Sequence, residues 1–274
     1  MATLTMLRDA FQSTRRALLE WPWVRELRRR AYEGQFAAGA PGCFCGVYDS
    51  FEEARLAAPK GKGVGYDQPA MAAMYRDRMD RVYPADYPVL FWLSRCLPGA
   101  RTLFDFGGHV AIQYYSYRRY LDYPIGMRWV VCDVPEVLKA GRRIAKEQGR
   151  FDIDFTERFE EANAADVLLA AGSLQYLDAP FFPHALSSLA ARPRHVLVNK
   201  LPVHESRQFV TLQDTGAAYH PYTVFERGRF VSAIRGLGYD LVDQWENAEL
   251  SCRVPFFPEH DVPAYSGFYF RAGG

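Results

Sequence analysis

The chain has 274 residues, 49% of them apolar and 15% aromatic, with a net charge of +1. That length and composition support a sizeable core in one large domain, with or without an extension, and exclude a largely disordered chain. Near-zero charge without an aromatic–basic repeat argues against nucleic acid, and no apolar run approaches the ~18 residues of a membrane span. The opening residues, MATLTMLRDAFQSTRR, lack an apolar core followed by a small-residue cleavage site, so no signal peptide is expected. Cys43, Cys45, Cys96, Cys132 and Cys252 form an odd, scattered set that suits a reducing cytoplasm better than a disulfide framework. No second pair or nearby histidine completes a zinc set around Cys43 and Cys45, so no metal is expected.

Up to about Cys96 the chain reads as helix and loop. Leu18, Leu19, Trp21, Trp23, Val24 and Leu27 alternate with Arg15, Arg16, Arg25, Arg28, Arg29 and Arg30, interrupted by Pro22. This is an apolar face with a basic back, read as a helix packing on its own domain, although a membrane-surface helix shares the pattern. AAGAPGCFCG reads as a loop. Ser50 and Glu53 have capping-box spacing, which predicts a helix through FEEARLAA. APKGKGVGYDQ is again loop, PAMAAMYRDRMDRV reads as a helix starting at Pro69, and DYPVLFWLSRCL as another stopped by Pro98-Gly99.

From Arg101 the pattern changes. RTLFDF, RWVVCDV, ADVLLAAG and RHVLVNK are short apolar runs ending in polar residues, with the helical PEVLKAGRRIAKEQG and FFPHALSSLAAR between them. Such alternation predicts buried parallel strands, and FDIDFTE can add one more. FERGRFVSAIRGLG is a helix with a glycine stop. YDLVDQWEN and YSGFYFRA follow as strands with no helix between them, so they should pair antiparallel.

Ligands bind a parallel sheet at the carboxyl ends of its strands. The first such corner is Asp105-Phe106-Gly107-Gly108. The second strand ends in Asp133, where an acid can accept hydrogen bonds from both hydroxyls of a ribose, or simply cap the next helix. A dinucleotide corner wants glycine at three positions, here Gly107, His109 and Ile112, and only one fits. S-adenosylmethionine carries no phosphate and tolerates Asp105, Gly107, Gly108 and Ala111. A nicotinamide-dependent oxidoreductase is therefore disfavoured. Neither a nucleophile elbow of the G-x-S-x-G type nor a P-loop is present.

FDFGG, RWVVCDVPEV, ADVLLAAGSLQYLDAP, LVNKLPV and GLGYDLVDQWEN with YSGFYFR together resemble a group of bacterial proteins described as S-adenosylmethionine-dependent methyltransferases, some of them near surface-polysaccharide genes. The likeness begins at FCGVYDSFEEARLAA and runs nearly to the C-terminus. It implies an α/β fold with a Rossmann-like class I methyltransferase sheet, mostly parallel with an antiparallel C-terminal strand pair. Residues 1–98 would be a helical extension or cap, and residues 99–274 the S-adenosylmethionine-binding domain. The group's loop usually continues with a small residue and another glycine, from which His109-Val110-Ala111 departs.

The resemblance assigns cofactor contacts to Asp105, Gly107, Gly108, Asp133, Val134, Gly172, Ser173 and Leu174. It places Gln175 and Tyr176 beside the methyl-transfer cleft. Tyr48, Tyr66 and Tyr75 in the extension are candidate substrate contacts, with Tyr66 put foremost. Where the nucleophile must lose a proton, a histidine or carboxylate can act as base. His109 and His204 are the first candidates, Tyr176 is included with them, and His184 and His220 rank lower. The expectation is a cytoplasmic enzyme of small-molecule biosynthesis that methylates oxygen or nitrogen of a small molecule or sugar. It needs neither nucleic acid nor an integral membrane segment, and a homodimer is left open. The alternative from another class is a binding module that has lost cofactor affinity through His109.

Overall fold

The computed structural model describes residues 21–74 and 76–273. The expectations placed on Arg15, Arg16, Leu18, Leu19 and Tyr75 lie outside the described residues. Among the described residues, Pro22 begins a helix. With no N–H to leave unbonded, it occupies the first turn of α1 (Pro22–Gly39). The helix ends at Gly39, and the stretch read as loop then becomes a strand, β1 (Phe44–Tyr48). In α2 (Phe51–Leu56), Ser50 Oγ accepts the Glu53 N–H at 3.1 Å and the Glu53 carboxylate accepts the Asp49 N–H at 3.0 Å. After β2 (Gly63–Val64), the helix expected over 69–82 stops early as α3 (Pro69–Ala73). Its Met71 carbonyl is taken by the Met74 N–H and by the His109 ring, and Met74 is extended. A 3₁₀ segment, Arg76–Asp80, follows.

The remaining helices of the first half and the core strands lie where the apolar runs put them. They are α4 (Tyr87–Cys96), β3 (Thr102–Phe106), α5 (Ile112–Tyr117), β4 (Arg128–Cys132), α6 (Pro135–Glu147), β5 (Ile153–Thr156), β6 (Val167–Ala171), α7 (Phe181–Ser188) and β7 (His195–Leu201). Then come β8 (Val203–His204), β9 (Phe209–Asp214), β10 (Ala218–Glu226), α8 (Arg227–Arg235), β11 (Tyr239–Asn247) and β12 (Tyr265–Ala272).

The main sheet has seven strands in the order β11-β12-β7-β6-β3-β4-β5. Strands β7, β6, β3, β4 and β5 are mutually parallel, while β12 runs antiparallel to both β7 and β11. The expected tail pairing is therefore present. Both faces are buried, as continuous apolar strands require. Leu103, Trp129, Val131 and Leu197 pack on one face with α4 and α6, and Phe104, Val130, Leu168 and Phe268 pack on the other with α7 and α8. The chain turns to opposite sides of β3 toward β4 and β6, which opens a crevice at their carboxyl ends.

A second sheet lies over that end. It has the order β1-β9-β10-β2, with β8 paired to β10. It docks on the 3₁₀ turn Leu174–Tyr176 after β6: Thr223 Oγ1 donates to the Leu177 carbonyl at 2.7 Å, and the rings of Tyr176 and Tyr222 meet at 5.3 Å. Among the described residues no helix is long and apolar enough to cross a membrane.

Candidate functional site

Gly107 follows β3 with φ +72, a left-handed conformation cheap only for glycine. A Cβ on it would lie 2.1 Å from Ser173 Cβ, so the loops after β3 and β6 touch at this point. Ser173 Oγ donates to the Phe106 carbonyl at 2.6 Å and fixes the contact. A Cβ on Gly108 would lie 2.5 Å from Asp105 Cγ. Asp105 therefore sits beneath the loop, fully buried, where its Oδ2 accepts the Trp129 indole N–H at 3.0 Å. Its Oδ1 has no hydrogen-bond partner among the described residues, and burial pushes the carboxyl up to about 7.

His109 and Ala111 also have left-handed φ, +56 and +70, at two positions where glycine would be unstrained. The surroundings impose this shape. The His109 N–H donates to Asp133 Oδ2 at 2.9 Å, and the Val134 N–H to Asp133 Oδ1 at 2.8 Å. Asp133 thus ties the glycine loop to the end of β4 rather than capping the N2 or N3 amides of α6. Burial raises this carboxyl to about 6, against the two amides that favour its charge. The His109 ring is buried, with Nε2 2.9 Å from the Met71 carbonyl. A carbonyl only accepts, so Nε2 carries the proton. Burial holds the imidazole neutral by lowering it to about 4.

These loops border a cavity of about 650 Å³. Of the residues chosen from sequence, the cavity gathers Gly107, His109, Asp133, Val134, Gly172, Ser173, Gln175, Tyr176 and Tyr66 in its wall. Asp105 lies beneath that wall, Gly108 covers Asp105, and Leu174 packs into the core beside Phe182 and Phe268. His204 stands on β8 outside the cavity lining, with Nε2 3.1 Å from the Glu259 carbonyl. Tyr48 packs over Gly46 in a small core with Phe36 and Tyr219.

Of the opposite wall, sequence reading named only His220, as a low-ranked candidate base. His220 and Tyr222 come from β10, Gln213 from β9, and Asp86 and Lys200 meet as an ion pair at 2.7 Å. Lys200 is the last residue but one of β7, and a lysine near a strand end is a visible signal. Asp86 and β10 come from segments whose placement only the tertiary fold reveals.

No protein-family model and no curated protein matches the sequence. Among solved structures, the chain is similar to the glycopeptide N-methyltransferase MtfA complexed with S-adenosyl-L-homocysteine, with 11% identity over 78% of this chain and 100% of that one and a TM-score of 0.51. The fold is that of the class I methyltransferases. A Burkholderia thailandensis 1,6-didemethyltoxoflavin-N1-methyltransferase, with 16% identity, 70% of this chain and 79% of that chain covered, has a TM-score of 0.47. The cavity of this chain lies where Gly107, Asp133 and Gly172, at the ends of three different strands, converge.

Proposed function

We propose that the protein is an S-adenosylmethionine-dependent methyltransferase that methylates oxygen or nitrogen of a small molecule. The observation that carries this reading is Asp133, which faces the cavity from the end of β4 while its Oδ2 holds the glycine loop through the His109 N–H and its Oδ1 accepts the Val134 N–H. Each oxygen accepts one amide and keeps a lone pair for a ribose hydroxyl. The cavity wall fits the cofactor in a second respect. Gln175 Oε1 and Gln113 Oε1 are buried in it without a hydrogen-bond partner among the described residues, and donors on a ligand would satisfy them.

When bound, the cofactor supplies an electrophilic methyl group on a sulfonium. The chain's own work is then mostly alignment, since in-line displacement depends on holding the nucleophile close and straight. Asp133 would hold the ribose, with Phe106 and Val134 as apolar flanks. Gly107 and Gly172 bring backbone close, and Ser173 locks their two loops together. We assign His109 to loop shape, because its Nε2 proton is committed to Met71. The second sheet, with the segment up to residue 98, would act as the cap that excludes water.

Calorimetry with S-adenosylmethionine, S-adenosylhomocysteine and NADH tests this reading. The first two should bind and NADH should not. Asp133→Ala should lose roughly tenfold in affinity or more, at about 1.5–3 kcal/mol for each lost bond to a charged group. NADH binding, or no binding of either sulfur compound, would overturn the assignment. Binding without methyl transfer to any acceptor would favour a non-catalytic module.

A further inference from the structure

The half of the cavity away from Asp133 has its own chemistry. Tyr66 meets Tyr176 at 4.6 Å between ring centroids and His220 at 4.5 Å, and Tyr176 continues the wall to Tyr222 at 5.3 Å. The Thr215 hydroxyl donates to the Ala218 carbonyl at 3.0 Å, so its oxygen accepts from His220 Nε2 at 3.1 Å. Burial lowers the His220 imidazole to about 4. The wall is therefore aromatic and uncharged at neutral pH.

The charge comes from Lys200, near the end of β7. Its φ is +55, a strained conformation for a non-glycine residue, and such strain concentrates at functional sites. Asp86 Oδ1 lies 2.7 Å from its Nζ, but the same carboxylate also accepts the Tyr117 hydroxyl at 3.0 Å and the Tyr83 N–H at 3.0 Å. One carboxylate thus serves three donors, while the ammonium has three hydrogens and a place in the cavity wall. A side chain at Gly172 would come within 3.7 Å of Lys200 Cβ and 3.8 Å of Gln175 Nε2. Lys200 therefore meets the loop that leads straight into Tyr176. Arg78 and Arg81 add positive charge to the lining.

We propose that the acceptor is a planar aromatic compound bearing an ionised oxygen, a phenolate or an aromatic carboxylate, with its ring on the Tyr66–Tyr176–His220 wall and its oxygen on Lys200 Nζ. The proposal rests on the methyltransferase reading above. The oxygen lone pair forms the new O–CH₃ bond as the S–CH₃ bond breaks and its electron pair stays on sulfur. The oxygen arrives ionised, held so by the ammonium, and no proton has to be removed by the protein.

The test is calorimetry on the full chain with benzoate, benzamide, cyclohexanecarboxylate and benzylamine, each with and without S-adenosylhomocysteine. Benzoate should exceed benzamide by about tenfold or more, the worth of a hydrogen bond to a charge, and cyclohexanecarboxylate by about threefold or more, the worth of a ring contact. Lys200→Met should erase the first preference and Tyr66→Leu should shrink the second. If Lys200→Met does not fold, the Asp86→Asn/Lys200→Met pair removes both charges together and should give the same result. Benzylamine binding best, equal affinity for benzoate and benzamide, or no benzoate binding in either state would overturn the proposal. Homocysteine-product binding without benzoate binding would sink this inference alone, whereas its absence counts against the methyltransferase reading.

Discussion

Asp105 is a buried acid whose charge the surroundings support at only one oxygen. Its carboxyl is raised from about 4 to about 7 by burial, with the Trp129 N–H opposing. The folded state therefore holds the proton more tightly than the unfolded state, and stability is lost as pH rises from about 4 to about 7. Asp105→Asn keeps a carbonyl for Trp129 and removes the charge. Its stability relative to the parent should grow across that window, reaching on the order of 2–4 kcal/mol, and stay level above it. Urea denaturation at several pH values reads this, and a gap that does not change with pH would contradict it. His109 has the opposite sign. Its folded value of about 4 lies below the ordinary 6.5, so stability is lost as pH falls from about 6.5 to about 4. His109→Gln, whose amide can still donate to the Met71 carbonyl, should remove that part of the acid sensitivity. At saturating cofactor its turnover should stay within a few-fold of the parent, whereas loss of a general base would cost about 10²–10⁴.

Among the elements, the core strands were legible because both faces of a parallel sheet are buried, which writes each strand as an uninterrupted apolar run. The tail pair was legible because no helix separates it. β1 was not, since Gly46, at φ +76, and a register irregularity between Cys45 and Tyr48 break the pattern among loop-like neighbours. β10 was hidden by Pro221 and by its mixture of polar and aromatic residues, although nearly every position is buried. The site divides in the same way. Asp133 and the glycine corner follow from local sequence, while Asp86, Gln213 and His220 reach the cavity only through long-range packing. Gly267 in β12 shows how such packing is held. A Cβ there would lie 2.1 Å from the Trp245 ring, whose N–H donates to Asn199 Oδ1 at 3.0 Å, and Asn199 in turn donates to the Ala85 carbonyl at 2.8 Å, next to Asp86. Gly267→Val should cost about 1–3 kcal/mol through overpacking. Thermal unfolding measures it, and an unchanged midpoint would show that the ring moves aside freely.

Across the whole molecule, the cap and the sheet beneath it are held by different means. Asp214, buried at the end of β9, accepts from Lys62 Nζ at 2.8 Å, from the Ala40 N–H at 2.7 Å and from the Gly216 N–H at 2.7 Å. One carboxylate thus ties the end of α1, the loop before β2 and the β9–β10 turn. Asp214→Ala leaves all three donors without it and should destabilise the cap by about 3 kcal/mol. Amide exchange should then quicken in β9 and β10 while β3, β4 and β6 keep their protection. Uniform acceleration through both sheets would mean that cap and core unfold as one unit.

The join between β1 and β9 also orders events during synthesis. Thr211 Oγ1 donates to the Gly46 carbonyl across 165 residues of sequence. At about 5–20 residues per second, the ribosome delivers the second strand on the order of ten seconds or more after the first. All five parallel strands of the main sheet emerge in that interval. The β1 segment therefore waits without its partner while they pair, and the cavity gains its roof only after β9 and β10 have followed the five parallel strands.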